Sequence, residues 1–194
     1  MDLYSFVYRG NLTKLSLDDK NVSNAQKSNA STVDLLLNGE TLKKLPLDRM
    51  DQNIVERAKM MASVYVAIAS FENSARDFVT KILQEKYGEN WWEHSVSDKI
   101  RKKAESRKAE EDKIKWHNQR GESLINYTEI TDLSNIMYNN LESFEDFIIS
   151  IEWVKQIFTT IDRSRNVIMH SGELGTYDIE RLCMNIRDWL NQVG

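Results

Sequence analysis

The sequence is poor in the residues that cross-link small secreted proteins and in those that interrupt helices. Cys183 is the one cysteine among 194 residues, so no disulfide can form within the chain and we expect a reducing, cytoplasmic environment. One proline and seven glycines are few for a protein built from short strands and tight turns. Together with the periodic apolar pattern described below, this scarcity predicts an all-α fold.

Long apolar runs and the motifs of common cofactor-dependent enzymes are also missing. The longest apolar stretch, residues 60–71, contains serines and is too short to cross a bilayer, so we expect no association with a membrane. There is no glycine-rich phosphate loop, and His94 and His117 have no ligand partners at metal spacing, so we expect neither a cofactor nor a metal. The net charge of −4 argues against nonspecific coating of nucleic acid but leaves room for a local basic groove.

Apolar residues spaced by threes and fours predict a bundle of helices. This spacing runs from Ile54 to Ile82 and predicts one long helix over about residues 50–86, ended by Gly88. A second stripe predicts a helix over residues 151–169, and a third predicts a final helix near the C-terminus. Because helices joined by short connections pack as antiparallel neighbours, we predict an antiparallel helical bundle.

Two hydroxyl residues predict where the later helices begin. Ser150 precedes the second stripe and Thr176 precedes the third, and hydroxyl side chains are favoured at helix N-caps. The predicted bundle covers residues 48–194. Residues 1–47 contain too few apolar residues for a core of their own, so we predict that they form an N-terminal extension and not a second domain.

A basic stretch lies between residues 98 and 116, where cations outnumber acidic residues and the apolar face is thin. One interpretation is a solvated helix with internal ion pairs. The other is a basic ridge that guides RNA phosphates toward a cleft. Both interpretations stay open at this point, and the candidate RNA-binding residues are Arg101, Lys102, Lys103 and Arg107.

Trp91 and Trp92 are adjacent aromatic residues just after the predicted end of the long helix. Adjacent tryptophans can stack on nucleic-acid bases. Such residues more often fill part of a core, however, and we therefore predict that both side chains are buried.

A polar motif lies at the end of the second predicted helix. Asp162, Asn166 and His170 follow one another at intervals of four, which puts them on one side of a helix. Arg165 and His170, in contrast, lie about 140° apart around a regular helix, with about 7.5 Å of rise between them. We expect Gly172, which tolerates the left-handed backbone of a helix terminus, to end this helix.

The separation of Arg165 from His170 suggests a hypothesis about assembly. A two-fold copy of the helix would bring a second arginine and a second histidine into the same cleft, because in a symmetric dimer one patch meets itself. The simpler interpretation of the spacing alone is a surface arginine and a capping histidine.

The motif resembles the signature of the HEPN superfamily, the higher eukaryote and prokaryote nucleotide-binding domains. That signature is an arginine, usually followed by Asn, Asp or His, and then a histidine after four to six spacers. Arg165, Asn166 and His170 match it with a spacer of four.

An upstream pattern extends this resemblance. Phe71-Glu72 with Arg76, followed by the Tyr-Gly-Glu-Asn-Trp-Trp stretch at residues 87–92, is similar to one HEPN branch. That branch ends a nuclear PIN-type RNA endonuclease and recurs in bacterial defence-type proteins. The resemblance covers roughly residue 51 to the C-terminus.

The resemblance implies a homodimeric, metal-independent endoribonuclease in a toxin or antiviral defence role, with RNA as substrate and an antitoxin or other regulatory protein as a candidate partner. It implies catalytic roles for Arg165 and His170, which match its motif. Four supporting residues lie beside these two or belong to the upstream pattern: Asn166, Asp162, Glu72 and Arg76.

The residue types suit such chemistry. RNA carries its own nucleophile, the 2′-hydroxyl, so a metal-free ribonuclease needs a base, an acid and positive charge beside the phosphorane. His170 from each of two chains could supply base and acid, and Arg165 could supply a fixed positive charge. The predicted product ends are a 2′,3′-cyclic phosphate and a 5′-hydroxyl.

Two alternatives stay open. One is a non-catalytic HEPN module for dimerisation, nucleotide binding or partner-protein binding, and the other is an enzyme that acts on DNA. In one toxin branch a tyrosine two residues after the histidine is the site of regulatory nucleotidylation. Gly172 stands at that position, so we do not expect this form of control.

Overall fold

The structure, a computed structural model, describes residues 39–194, and the predictions made for residues 1–38 lie outside this range. Within it the regular structure is helical and contains no strand, which confirms the all-α fold. The α-helices are α1 (Gly39–Lys44), α2 (Gln52–Tyr87), α3 (Trp91–Ser95), α4 (Asp98–Glu111), α5 (Ile130–Asn139), α6 (Ile151–Met169) and α7 (Thr176–Val193).

The described residues divide into two units, residues 39–52 with Gly194 and residues 53–193. In the described part of the first unit, α1 is followed by a 3₁₀ turn at Leu47–Arg49. The Gln52 amide donates hydrogen bonds to the carbonyls of Leu47 and Met50 at 3.1 and 3.0 Å. The assignment of residues 1–47 as an extension stays a prediction.

Local sequence signals determine where the long helices begin and end. The backbone turns left-handed at Gly88, with φ of 69°, and α2 ends at the residue before it, as the sequence predicts. Ser150 is the N-cap of α6, and its hydroxyl accepts a hydrogen bond from the Trp153 N–H at 3.1 Å. Helix α7 begins at Thr176, also as predicted.

Trp189 of α7 is the centre of an aromatic cluster that joins the long helices. Its ring lies 5.7 Å from that of Phe71 on α2 and 5.1 Å from that of Phe158 on α6, measured between centroids. Phe78 of α2 and Trp153 of α6 contact the same indole at 5.7 and 5.9 Å. Because aromatic side chains bury large apolar areas, this cluster contributes a major part of the core.

The contacts also give the helix directions. The end of α7 packs against the first half of α6, so these two helices, joined by the short turn at residues 170–175, are antiparallel. Near the start of α2, Met61 Sδ accepts a hydrogen bond from the Leu174 N–H at 3.3 Å. Further along α2, Phe78 packs 5.8 Å from Phe147, which precedes α6. Helices α2 and α6 are therefore antiparallel as well.

Trp91 and Trp92 are both buried, as predicted. Their rings meet edge to face with centroids 5.5 Å apart. Neither indole is accessible as a stacking surface. Cys183 lies at the apolar spacing of the last helix, but it is exposed on α7.

Replacing Trp189 with alanine should lower the free energy of unfolding by about 3–5 kcal/mol, because it leaves a cavity among four aromatic rings. Urea denaturation followed by circular dichroism measures the change. Tyr177→Ala is the matched control on the same helix, since Tyr177 is 81% exposed, and it should change stability by less than about 0.5 kcal/mol. Equal effects of the two substitutions would contradict the assignment of the core.

Candidate active site

The end of α6 is closed by two backbone hydrogen bonds that leave His170 at the helix terminus. The Ser171 N–H donates to the Ile168 carbonyl at 2.9 Å, and the Gly172 N–H donates to the Val167 carbonyl at 2.8 Å. This is the Schellman arrangement, in which the residue after the C-cap adopts a left-handed backbone. That residue is Ser171, with φ of 61°. The expectation that Gly172 would be the left-handed residue is therefore wrong by one position.

Gly172 is required for a different reason, the close approach of the chain to the last turn of α6. A Cβ on Gly172 would lie 2.8 Å from Val167 Cγ1 and 2.9 Å from the Val167 carbonyl oxygen, which is too close for an unstrained contact. The turn also fixes the backbone at His170, whose N–H donates to the Asn166 carbonyl at 3.2 Å. The His170 side chain is exposed.

Arg165 points from α6 toward α2, where it meets a buried acidic residue. Its Nε lies 3.2 Å from Glu72 Oε1, and the two side chains are 35% and 10% exposed. The contact is an ion pair without the alignment of a hydrogen bond, since Glu72 Oε1 has no hydrogen-bond partner among the described residues. Arg165 is thus anchored through its Nε atom, and its side chain remains partly exposed.

Arg76 holds the other oxygen of the same carboxylate. Its Nη2 donates to Glu72 Oε2 at 3.2 Å and approaches the Thr128 carbonyl at 3.4 Å, and its Nη1 donates to Asn73 Oδ1 at 3.2 Å. Arg76 is largely buried. Two guanidinium groups share one carboxylate, so the formal charge of the Glu72–Arg76–Arg165 cluster is +1.

Asp162 and Asn166 lie on the same side of α6, as their spacing predicts. The Asn166 amide donates to Asp162 Oδ2 at 3.2 Å. Helix α6 is regular through Met169, so Arg165 and His170 are separated by about 140° around it. One chain therefore directs Arg165 toward α2 and leaves His170 at the exposed end of the helix. The roles of these four residues in catalysis stay predictions.

A mainly apolar groove of about 470 Å³ lies between the first half of α2 and the end of α6. It begins at Ser171 and Gly172, directly after His170, and an ion pair between Arg57 and Glu173, with atoms 3.1 Å apart, lies at its edge. Apolar side chains from both helices form its walls, among them Met61, Tyr65, Ile168 and Met169.

Three of the four candidate RNA-binding residues on the predicted basic ridge form ion pairs with acidic side chains. Lys103 Nζ donates to Glu129 Oε2 at 2.7 Å and lies 3.3 Å from Asp132 Oδ2. Arg107 donates to the Tyr127 carbonyl at 2.9 Å and also binds Glu129. These contacts dock α4 against the start of α5. Of the other two candidates, Arg101 pairs with Asp98 on its own helix, and Lys102 is exposed. RNA binding by these four residues stays a prediction.

These ion pairs shift the pKa values of Glu129 and Lys103. The hydrogen bond from Lys103, aided by Arg107, lowers the pKa of the Glu129 carboxyl even though partial burial opposes this. Partial burial works to lower the pKa of Lys103, but the hydrogen bond to Glu129 and the charge of Asp132 outweigh it and raise the pKa.

Two other classes of site are absent from residues 39–194, the part of the chain that the structure describes. No group of three or more His, Cys, Asp or Glu side chains is arranged there to hold a metal ion. No helix in the same range is both long and apolar enough to span a bilayer.

The pairing of Glu72 with Arg165 is the site feature that sequence reasoning missed. The spacing of four between Glu72 and Arg76 is a visible signal for their ion pair. Nothing local links Glu72 to an arginine on a different helix, and only the packing of α2 against α6 brings the two together.

The family model described as Swt1-like HEPN matches residues 67–194. The matched stretch contains Glu72, Arg76, Arg165 and His170. Comparisons with curated proteins and with solved structures gave no match.

Ser171→Gly should raise the free energy of unfolding by about 0.5–1 kcal/mol, because a left-handed backbone costs a residue with a side chain about 1–2 kcal/mol and the extra entropy of an unfolded glycine offsets part of the gain. Gly172→Ala should lower it, since the new methyl group meets backbone atoms. Urea denaturation of both variants measures these changes, and a neutral Gly172→Ala would contradict the close approach described here.

Glu129→Gln should lower the free energy of unfolding by roughly 1 kcal/mol at pH 7, a value limited by solvent screening of a partly exposed pair. Because the pKa of Glu129 is lower in the folded state than its ordinary value of 4.5, its stabilisation is present above that value and is lost as the pH falls through the folded pKa. The difference in the free energy of unfolding between wild type and Glu129→Gln should therefore disappear at acidic pH. Denaturation across a pH series measures it.

Glu142→Gln is the matched control for this experiment. Glu142 Oε2 lies 3.6 Å from Lys86 Nζ, but the Glu142 side chain is 90% exposed. We therefore expect wild type and Glu142→Gln to have the same free energy of unfolding at every pH. A gap for Glu129→Gln that persists unchanged to low pH would contradict the ion-pair account of this cluster.

Proposed function

Since the chain belongs to the Swt1-like HEPN family, which the match over residues 67–194 shows, we propose that it is a metal-independent endoribonuclease that works as a homodimer. Arg165 and His170 are its catalytic residues. Glu72, Arg76, Asp162 and Asn166 support them. On family resemblance, the proposal includes a toxin or antiviral-defence role under the control of a regulatory protein.

The observation that carries this proposal is the 3.2 Å contact between Arg165 and the buried carboxylate of Glu72. An arginine anchored in this way keeps its guanidinium in one position, and preorganised charge is worth more than charge that must be ordered during the reaction. The carboxylate does not cancel the charge, because Arg76 shares it. The exposed edge of Arg165 can therefore bind a nonbridging phosphate oxygen.

His170 suits general acid-base catalysis because it is exposed at a helix end whose backbone is fixed by the turn at residues 170–172. Histidine is the side chain whose ordinary titration lies near neutral pH. The helix geometry separates it from Arg165 of the same chain. A second chain related by two-fold symmetry would supply the missing partner from the opposite side.

The surface around His170 supports self-association. Val167 and Met169, on the last turn of α6, are exposed apolar residues, and the groove between α2 and α6 continues this apolar surface. Exposed apolar surface rimmed by polar residues is typical of interaction sites. When the same patch meets its own copy, the two α6 ends approach each other.

In the proposed reaction one His170 takes the proton of the 2′-hydroxyl, and the 2′-oxygen attacks the adjacent phosphorus. The bond from phosphorus to the 5′-oxygen breaks, and the second His170 protonates that leaving oxygen. Arg165 stabilises the added negative charge on the phosphorane. The products are a 2′,3′-cyclic phosphate and a 5′-hydroxyl, and no atom is required from a cofactor.

Purified protein should cleave single-stranded RNA in the presence of EDTA and leave 2′,3′-cyclic phosphate ends, which mass spectrometry of the products detects. His170→Ala should lower the rate by about 10²–10⁴-fold, the usual contribution of a general acid or base. His94→Ala is the control, because His94 is exposed on α3. Cleavage that survives in His170→Ala would sink the assignment, and a dimer that binds nucleotide without cutting RNA would indicate the non-catalytic module instead.

Mixing subunits tests whether the site is composite. Wild-type chains co-expressed with about a tenfold excess of His170→Ala chains should keep roughly a tenth of their activity per wild-type chain, because about one wild-type chain in eleven still pairs with another and each mixed dimer lacks one of its two histidines. A site contained in one chain would keep its activity per wild-type chain unchanged. An excess of His94→Ala chains is the matched control and should have no effect.

A further inference from the structure

Trp116 is the most exposed large apolar residue of the described chain, at 86%. It lies in the segment that follows α4. The other four tryptophans are buried or half-buried. Exposing nearly a whole indole to water forgoes the hydrophobic gain that its burial would give, so the position of this ring calls for a physical explanation.

The segment that carries Trp116 is fastened to the end of α4. The Gln119 amide donates to Asp112 Oδ1 at 2.6 Å, and Arg120 Nε lies 2.6 Å from Glu111 Oε1. The His117 N–H donates to the Ile114 carbonyl at 3.3 Å. Contacts on both sides of Trp116 therefore hold the segment in one conformation, and that conformation presents the indole outward.

The immediate surroundings of Trp116 leave room for a flat ligand. The ring of His117 meets the indole almost perpendicularly, at 81° and 5.6 Å between centroids, so it does not stack on it. Beside them is a depression of about 470 Å³ that Ile114 and Asn118 also line. An exposed indole face next to such a depression can accept an aromatic ring lying parallel to it.

The acidic side chains near the ring are already engaged. Glu111, which lines the depression, pairs with Arg120, and Asp112 accepts a hydrogen bond from the Gln119 amide. Lys113 and Lys115 are both exposed and lie on either side of Ile114, and no acidic residue occurs between Lys113 and Gly121. Arg120 is the third cation of this stretch and is paired with Glu111. Two lysines with exposed side chains therefore come just before the aromatic pair in the sequence.

We propose that Trp116 is a stacking platform for an unpaired base of single-stranded RNA, with Lys113 and Lys115 binding the phosphates beside that base; this inference rests on the proposed ribonuclease function. Unpaired RNA is recognised through bases stacked on aromatic side chains and phosphates bound by cations. A protein partner is less well matched, since a protein hot spot normally lies within a larger apolar patch, whereas Trp116 lies in a mostly polar stretch with two exposed lysines just before it. The platform directs the enzyme toward unpaired RNA rather than duplex RNA.

Fluorescence anisotropy of labelled RNA measures the platform directly, in a His170→Ala background so that the RNA stays intact. The probes are a ten-nucleotide single strand, a strand of equal length with abasic sugars, and a fully paired hairpin. Trp116→Ala should weaken binding of the single strand by about 5- to 150-fold, the range for losing one stacked base. Trp116→Phe should retain most of the affinity, and the abasic strand should bind equally to both proteins.

Two further variants separate stacking from charge. Tyr138→Ala is the matched aromatic control, because Tyr138 is 55% exposed but has Lys155 Nζ 4.5 Å above its ring, and its removal should leave affinity unchanged. Lys113→Gln with Lys115→Gln should weaken both the normal and the abasic strand. It should also make the salt dependence shallower by about 0.7 for each phosphate that the protein no longer neutralises.

The outcomes distinguish the platform from the proposed function. Unchanged single-strand affinity in Trp116→Ala overturns the platform, and if that variant instead sediments as a smaller species than the wild type, the ring belongs to a protein interface. Binding through Trp116 without cleavage by the wild-type protein supports the platform and sinks the ribonuclease. Cleavage by the wild-type protein with no contribution of Trp116 to binding supports the ribonuclease and overturns the platform. An absence of both RNA binding and cleavage overturns both proposals.

Discussion

A carboxylate removed from water, that of Glu72, is the constraint on which the candidate site depends. A buried charge is tolerated only when it is paired, and Glu72 meets this condition with one guanidinium on each oxygen. Arg76 ties it to the backbone before α5 through Thr128, and Arg165 ties it to α6. Arg165, the proposed catalytic arginine, therefore helps to hold α6 against α2 while part of its side chain remains exposed.

The neighbouring core explains why this arrangement is precise. Phe71, next to Glu72 in the sequence, packs edge to face against Phe158 of α6 at 5.8 Å and against Trp189 of α7. Close-packed aromatic rings thus hold together α2 and α6, the same two helices that form the ion cluster. Closely packed side chains leave little room for either helix to shift. In the opposite direction along α6, the turn at Ser171 and Gly172 fixes the backbone on which His170 lies. The backbone is therefore fixed at both Arg165 and His170, but the regular geometry of α6 directs their side chains to different sides of the helix.

Features encoded by neighbouring residues could be predicted from the sequence. The Ser150 cap, the stop at Gly88 and the start of α7 at Thr176 each depend on a few adjacent residues, and the apolar periodicity was enough for the bundle. The left-handed residue at the end of α6 cannot be located from the sequence, because either residue of the Ser-Gly pair can follow a helix and only the hydrogen bonds distinguish them.

Features that depend on packing between distant segments could not be predicted in the same way. The carboxylates that bind Lys103 and Arg107 belong to α5 and the residue before it, so the composition of α4 alone could not separate an ion-paired helix from an RNA-binding ridge. Likewise, the sequence drew attention to the adjacent Trp91 and Trp92, which are buried, whereas the isolated Trp116 is the exposed one. Exposure is a property of the folded chain, and a single tryptophan in a polar segment carries no pattern that reveals it.

The composite site requires two α6 ends to meet, and a cross-linking measurement tests that meeting most directly. In a Cys183→Ser protein, cysteines introduced at Met169 and at Ile149, both exposed, lie near opposite ends of α6, roughly 30 Å apart. With a short bifunctional thiol reagent in dilute solution, Met169→Cys should give a covalent dimer and Ile149→Cys should stay monomeric on a denaturing gel. Cross-linking at position 149 and not at 169, or at neither position, would contradict the composite site.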